Sequence, residues 1–157
     1  MAYQKLQVSR ALQVIKSDDA NIPFPNIVEE GTSTSVVANQ LVDSAAAFVT
    51  LNVQVGDVVY NTTTSTAATV VRVLNNTTIV LSADIFLAAG NVYKVYSQNT
   101  KNEGCVLYIG TSGNIRVLTH GGDDVVFANV LGGTFLPVQI IKVFATNTTA
   151  SNIIALW

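Results

Sequence analysis

Charged side chains are scarce in this chain. Lys, Arg, Asp and Glu make up 11% of its 157 residues, against about 25% in an ordinary soluble domain. An edge strand without charges has little to keep it from pairing with another chain. The low charge therefore favours a protein whose surfaces are covered by neighbouring subunits. The cations form no basic run, and proteins that bind nucleic acid carry a basic patch or stripe, so we predict no nucleic-acid partner. The basic residues are Lys5, Arg10, Lys16, Arg72, Lys94, Lys101, Arg116 and Lys142.

Cysteine and long hydrophobic runs are equally scarce. The single cysteine, Cys105, cannot form a disulfide within the chain, which excludes a disulfide-stapled secreted scaffold. No apolar stretch reaches the about 7–15 residues of a signal-peptide core or the about 20 residues of a membrane helix. We therefore expect no membrane partner and synthesis in the cytoplasm of the expressing cell. A chain of this length buries roughly 70% of its unfolded surface, so it needs no metal or disulfide for stability.

Hydrophobic residues are abundant, at 49%, and occur in short alternating runs separated by Gly, Asn and Thr. Short strands spaced 8–12 residues apart with turn signals are typical of all-β sandwiches and barrels. The sequence thus predicts a β-sandwich or barrel of short antiparallel strands. Two polar linkers, residues 29–35 and 97–104, bracket the middle of the chain. We predict a discontinuous outer β domain, residues 1–35 plus 99–157, and a small inserted β-barrel-like module, residues 36–98.

Turn residues predict where consecutive strands reverse. Asn75-Asn76 is expected to make a hairpin turn by adopting positive φ angles. The glycine-rich segments 110–113 and 120–123 are expected to make two further hairpin turns between neighbouring strands.

Few residues offer chemistry. His120, the only histidine, lies in a Gly-Gly turn, which is a mobile place for a catalytic base. Cys105 heads an apolar run and is expected to be a buried thiol. Adjacent carboxylates such as Asp123 and Asp124 point in opposite directions in an extended chain. We therefore predict that the chain is not an enzyme and has no catalytic residues, metal or cofactor. A small hydrolase built from these Asp and His residues is kept as a third hypothesis.

Several segments outside the middle block resemble a known family. Residues 10–23 read RALQVIKSDDANIP, and matching segments follow at residues 106–110, 113–117, 124–127, 133–138, 143–150 and 153–156. They resemble small virion proteins of tailed bacteriophages and gene transfer agents, namely the head spike-base family and, more loosely, capsid decoration proteins. The compact family lacks the middle block. Residues 39–44 and 55–63 of that block resemble a small β module found inside various phage virion proteins.

The resemblance implies a virion structural protein. It would be an oligomeric capsid decoration, cement or head spike-base protein that binds other virion proteins without catalysis. The expected partners are sister copies, with a trimer or a pentamer as options, and major capsid or other virion proteins. The expected location is the virion, after synthesis in the bacterial host cytoplasm. The alternative is a host-surface module of a phage tail or spike that binds a glycan or receptor through loops on a rigid scaffold.

The two ends of the chain supply the predicted interface residues. The N-terminal segment carries apolar side chains ahead of the first strand, so it is a candidate arm for reaching a neighbour. Trp157 closes the last predicted strand, where we expect a packed anchor, and it is included among the interface candidates. The candidate interface residues are Met1, Ala2, Tyr3, Gln4, Leu6, Val8 and Trp157.

Overall fold

The computed structural model describes residues 8–157, which form thirteen β-strands joined by turns. All pairings between these strands are antiparallel. The all-β prediction is confirmed. None of the described residues lies in a helix, so this part of the chain has no apolar helix of membrane-spanning length.

The first sheet has six strands and combines the start of the chain with its second half. Its order is β1-β13-β9-β12-β10-β11. Because β9 bonds to β12 on one side and β13 on the other, it lies in the interior of the sheet. The strand bounds are β1 Ala11–Gln13, β9 Cys105–Thr111, β10 Gly113–Thr119, β11 Asp124–Val130, β12 Thr134–Val143 and β13 Ser151–Leu156.

The second sheet has seven strands, in the order β2-β8-β5-β6-β7-β4-β3. Its long strand β6 pairs with β5 through its first half and with β7 through its second half. The edge strands β2 and β3 follow each other in the chain, but they are not paired with each other, so the sheet is not a closed barrel. The bounds are β2 Ile27–Thr32, β3 Ser35–Val37, β4 Gln40–Val42, β5 Val58–Asn61, β6 Thr66–Asn75, β7 Thr78–Leu81 and β8 Val92–Tyr96.

The membership of β2 bears on the predicted organisation. Residues 29–32, part of a predicted polar linker, belong to this strand instead. The strand lies before residue 35, yet it pairs with β8 of the seven-stranded sheet. Sheet membership does not show which segments fold independently. The division into an outer domain and an inserted module at residues 36–98 therefore stays a prediction.

Each sheet has its own hydrophobic core, and a third cluster lies between them. Alternate residues of β9, such as Leu107 and Ile109, are fully buried in the first core, as the two-residue period of a strand requires. Phe48 and Phe86 are fully buried in the second core. At the junction, the Ser17 hydroxyl donates to the carbonyl oxygen of Ala67 at 3.2 Å. The buried junction residues are Ala20, Val58, Tyr60, Ala67 and Tyr96.

The turn after β6 is stabilised by a side-chain hydrogen bond and not by the predicted positive φ angles. A hairpin does connect β6 to β7, but neither Asn75 nor Asn76 has a positive φ. Instead, the side-chain oxygen of Asn75 accepts hydrogen bonds from the backbone N–H of Thr77 at 2.8 Å and from its hydroxyl at 3.0 Å. The expected backbone conformation was wrong because an asparagine side chain can hold a turn by itself.

The predicted hairpin at residues 110–113 is also wrong. This segment joins β9 to β10, but β12 lies between those two strands in the sheet. Gly110 and Gly113 do not have positive φ angles, and a side chain at either position would collide with Asn152 or with the backbone of Ala150. These glycines therefore allow two chain segments to approach closely. The hairpin predicted at residues 120–123, between β10 and β11, is confirmed.

A buried polar pair lies inside the second core. The Tyr93 hydroxyl donates to Oδ2 of Asp43 at 2.8 Å, and the backbone N–H of Ala45 donates to Oδ1 at 2.9 Å. Both side chains are almost completely buried. Burial and the neighbouring carboxylate raise the pKa of Tyr93. A Cβ on Gly31 would lie 2.5 Å from Oδ2 of Asp43. Position 31 therefore has to be glycine if the Tyr93–Asp43 pair is to keep this geometry.

Replacing Tyr93 by phenylalanine should therefore destabilise the protein. A buried carboxylate oxygen that loses its donor costs about 1–3 kcal/mol of unfolding free energy. Equilibrium urea denaturation of the Tyr93→Phe variant measures this loss. Tyr108→Phe is the matched control, because the Tyr108 hydroxyl makes no hydrogen bond within residues 8–157. It should change stability by less than about 0.5 kcal/mol. Equal losses in the two variants would contradict this account of the pair.

Candidate interaction surface

The only histidine of the chain lies in an exposed turn. His120 is exposed in the turn between β10 and β11, and its backbone N–H donates to the carbonyl oxygen of Gln139 at 2.8 Å. The nearby Asp123 carboxylate accepts a hydrogen bond from the Thr119 hydroxyl at 3.2 Å. Within residues 8–157, no three His, Cys, Asp or Glu side chains come together in a way that could hold a metal ion.

Asp124 is engaged by an ion pair. Arg116 donates to its two carboxylate oxygens, from Nε at 2.9 Å and from Nη2 at 2.6 Å. Hydrogen bonds from Arg116 lower the pKa of Asp124, and those to Asp124 raise the pKa of Arg116. The guanidinium also lies over the Phe144 ring, 4.2 Å from its centroid. This arrangement fixes the carboxylate at the start of β11.

The Cys105 thiol is buried in the first core, as the sequence predicted. Its Sγ lies 3.1 Å from the carbonyl oxygen of Ile140 and 3.8 Å from Nδ2 of Asn102. Burial raises the pKa of Cys105 to about 12. The thiolate, which is the nucleophilic form, is therefore strongly disfavoured at neutral pH.

Several cations contact their own chain. The Lys16 ammonium donates to the carbonyl oxygens of Thr148 and Ala150, at 3.3 and 3.1 Å. Lys142 donates to two backbone carbonyls before β2, and Lys94 lies 3.7 Å from a carboxylate oxygen of Glu30. Each of these three lysines thus has an acceptor within its own chain. The absence of a nucleic-acid partner stays a prediction.

The predicted interface residues fall into two groups. Val8 is half-exposed at 50%. Trp157 is part-buried: its ring packs edge-on against Phe24 at a centroid distance of 5.4 Å, and its Nε1 donates to Oδ1 of Asn102 at 3.0 Å. Trp157 is thus the packed anchor that the sequence predicted, and its role in an interface stays a prediction. The candidates outside the described residues are Met1, Ala2, Tyr3, Gln4 and Leu6.

The structure also brings together an apolar surface that the sequence analysis did not assemble. On β9, β12 and β13, the residues between the core positions point away from the first core. Tyr108 pairs with Phe135 on one side and Ile154 on the other, and Leu156 pairs with Val106. Most of these side chains are part-buried, and Phe135 is 57% exposed. We call this set the outer apolar face: Val106, Tyr108, Phe135, Ile154 and Leu156.

A sequence signal for this surface did exist. The run from Cys105 to Ile109 is apolar at every position, whereas a strand with one solvated face alternates between apolar and polar residues. The signal shows that both faces of β9 are apolar. It does not show which neighbouring strands extend the surface, because that depends on the sheet order.

Comparisons with protein-family models, with curated protein sequences and with solved structures found no significant match.

The buried thiol gives a test of the site chemistry. We expect Cys105 in the folded protein to react with a disulfide reagent such as DTNB at pH 8 at least about a hundredfold more slowly than in concentrated urea, because both burial and the raised pKa suppress the thiolate. The release of the thiol chromophore measures the rate. Equal rates in the folded and unfolded protein would show that the thiol is accessible and would reopen a role as a nucleophile.

Proposed function

We propose that this chain is a virion structural protein: a homo-oligomeric capsid decoration, cement or head spike-base protein that binds other virion proteins without catalysis. The observation that carries the proposal is the outer apolar face, which spans three neighbouring strands of the sheet and carries no charged residue. The resemblance of the outer segments to phage and gene-transfer-agent virion proteins also supports a virion function.

The outer apolar face has the composition of an attachment surface. Its exposed Phe135 ring packs against Tyr108, with 5.3 Å between ring centroids. Aromatic side chains are enriched in the buried centres of protein interfaces and supply much of their binding energy. Covering these side chains removes apolar area from water at about 25 cal/mol per Å². We assign this face to contact with a major capsid or other virion protein.

The chemistry of the described residues is compatible with this proposal. The thiol is buried, the Asp124 carboxylate is held by Arg116, and His120 stands in an exposed turn. The thiol and the carboxylate therefore contribute to the packing and hydrogen bonding of the fold.

A host-surface binding module is the second proposal, and one feature favours it. The turn between β5 and β6, residues 62–65, is exposed and rich in threonine. It is held in one shape because Oδ1 of Asn61 accepts hydrogen bonds from the N–H groups of Thr63 and Thr64, at 3.1 and 3.2 Å. Binding to a glycan array or to host cells, lost on replacing these threonines by alanine, would support this proposal over the first.

Placing a charge on the outer apolar face tests the main proposal. We expect Phe135→Glu to cost about 2 kcal/mol or more of attachment free energy, because a buried aromatic anchor is lost and a carboxylate would be desolvated. The measurement is the occupancy of the protein in image reconstructions of particles of the virus or transfer agent that encodes it.

The control is Leu87→Glu, which introduces the same charge at a residue that is 74% exposed in the loop between β7 and β8 of the other sheet. Circular dichroism checks that both variants keep their strands. If Phe135→Glu particles show the same occupancy as the control, the outer apolar face is not the attachment surface. If wild-type particles contain no density for this protein, the virion proposal fails.

The N-terminal arm is tested by removing residues 1–8. We expect the truncated protein to form a smaller oligomer or to attach more weakly, because the arm supplies apolar side chains to a neighbour. Sedimentation velocity gives the oligomer size, and particle occupancy gives attachment. A truncated protein that matches the full chain in both measurements would remove the arm from the interface.

A further inference from the structure

Strand β11 is the long open edge of the six-stranded sheet. It has seven residues, Asp124–Val130, and pairs only with β10 among the described residues. The other edge strands differ from it. β1 and β3 have three residues each, and β2 carries two glutamates, Glu29 and Glu30. A long edge strand that carries few charges is a template for pairing with another strand.

The register shows which backbone groups of β11 are open. Thr119 N–H donates to the carbonyl oxygen of Asp123 at 2.9 Å, and hydrogen-bonded pairs alternate along an antiparallel ladder. Val125, opposite Val117, and Phe127, opposite Ile115, therefore bond to β10. It follows that the N–H and C=O groups of Asp124, Val126 and Ala128 point to the open edge.

The opposite side of β10 agrees with this register. Phe144 N–H donates to the carbonyl oxygen of Arg116 at 3.0 Å, so Arg116 bonds to β12 and the next residue, Val117, bonds to β11. The regular stretch ends at Asn129, which has a φ of 55° and donates its N–H to Oδ1 of Asn114 at 2.9 Å.

The open positions are self-complementary. They lie symmetrically about Val126, at intervals of two residues. If a second copy pairs antiparallel about a two-fold axis at Val126, that residue lies opposite itself and Asp124 lies opposite Ala128. Every open N–H and C=O group of the three residues then finds a partner, in three hydrogen-bonded pairs.

Side chains and charges fit the same arrangement. Val125, 39% exposed, would lie beside Phe127 of the second copy, and Val126, 46% exposed, beside its own counterpart. Cross-strand pairs of this kind stabilise sheets. No like charges face each other, because Asp124 meets an alanine and is already paired with Arg116.

We propose that β11 is a self-association edge, at which a second copy of this chain adds its own β11 antiparallel about Val126 and joins two six-stranded sheets into one. The inference rests on the proposed function in that it names one contact between sister copies. A two-fold contact closes after two copies, so it fits a dimer, or a link between two rings, and not the contact within a ring of three or five.

Site-directed cross-linking tests the register. In a hydrogen-bonded antiparallel pair the Cα atoms are about 5.5 Å apart, within the range that a disulfide spans. We expect Val126→Cys to form a covalent dimer on mild oxidation, visible by non-reducing electrophoresis. The control is Val36→Cys, since Val36 is 53% exposed on the edge strand β3. Wild type, with only the buried Cys105, should form none. Equal cross-linking rates in the two variants would overturn the proposal.

Association without cross-linking gives the second test. A single strand pair is a small interface, so we expect a monomer–dimer equilibrium that depends on concentration in sedimentation experiments. Val126→Lys should weaken it at least about tenfold by placing two ammonium groups together, and Val126→Thr should change it far less. Wild type that stays monomeric at about 1 mM, or an oligomer unchanged by Val126→Lys, would overturn the proposal.

The two proposals fail in different ways. If wild-type particles contain the protein but Val126→Cys does not cross-link to itself, the β11 edge is not a self-association site while the virion function stands. A Val126→Cys cross-link to a different protein on the particle, without the homodimer, also overturns self-association. If the homodimer forms but particles lack the protein, the edge proposal stands and the virion function fails.

Discussion

Backbone N–H and C=O groups inside a sheet must pair between strands, and this requirement shapes the whole fold. The thirteen strands carry many such groups, and a backbone group that is buried without a partner costs free energy. β9 satisfies its backbone on both sides, through β12 and β13, and so carries the centre of the first core. β6 does the same for the second sheet by dividing its ten residues between two partners.

The same constraint determines which surfaces are left over. A sheet that is not closed has two edges, and its ends differ in how much backbone they expose. In the six-stranded sheet one end is the short strand β1. The backbone N–H of Trp157 donates to the carbonyl oxygen of Arg10, just before β1, at 3.0 Å. The other end is β11. The outer apolar face lies across the interior strands. The proposed attachment surface and the proposed self-association edge are therefore different parts of the same sheet.

Individual residues show where reading the sequence succeeded and where it did not. Cys105 is buried and Trp157 is packed, because each belongs to a local apolar pattern that the sequence displays. Residues 110–113 have the composition of a hairpin turn, yet the strands on either side are separated by β12. Gly110 and Gly113 are needed because Asn152 and Ala150, some forty residues away in the chain, lie too close for a side chain. A local sequence pattern does not show such a distant neighbour.

Side-chain alternation is a local property with a period of two residues, and it was enough to predict the fold class and the burial of an apolar position such as Cys105. Contacts between distant segments set the sheet order, the pairing of β2 with β8, the assembly of the outer apolar face and the open edge at β11. These features follow from register and strand order between distant segments, where a shift of one residue exchanges the two faces of a strand.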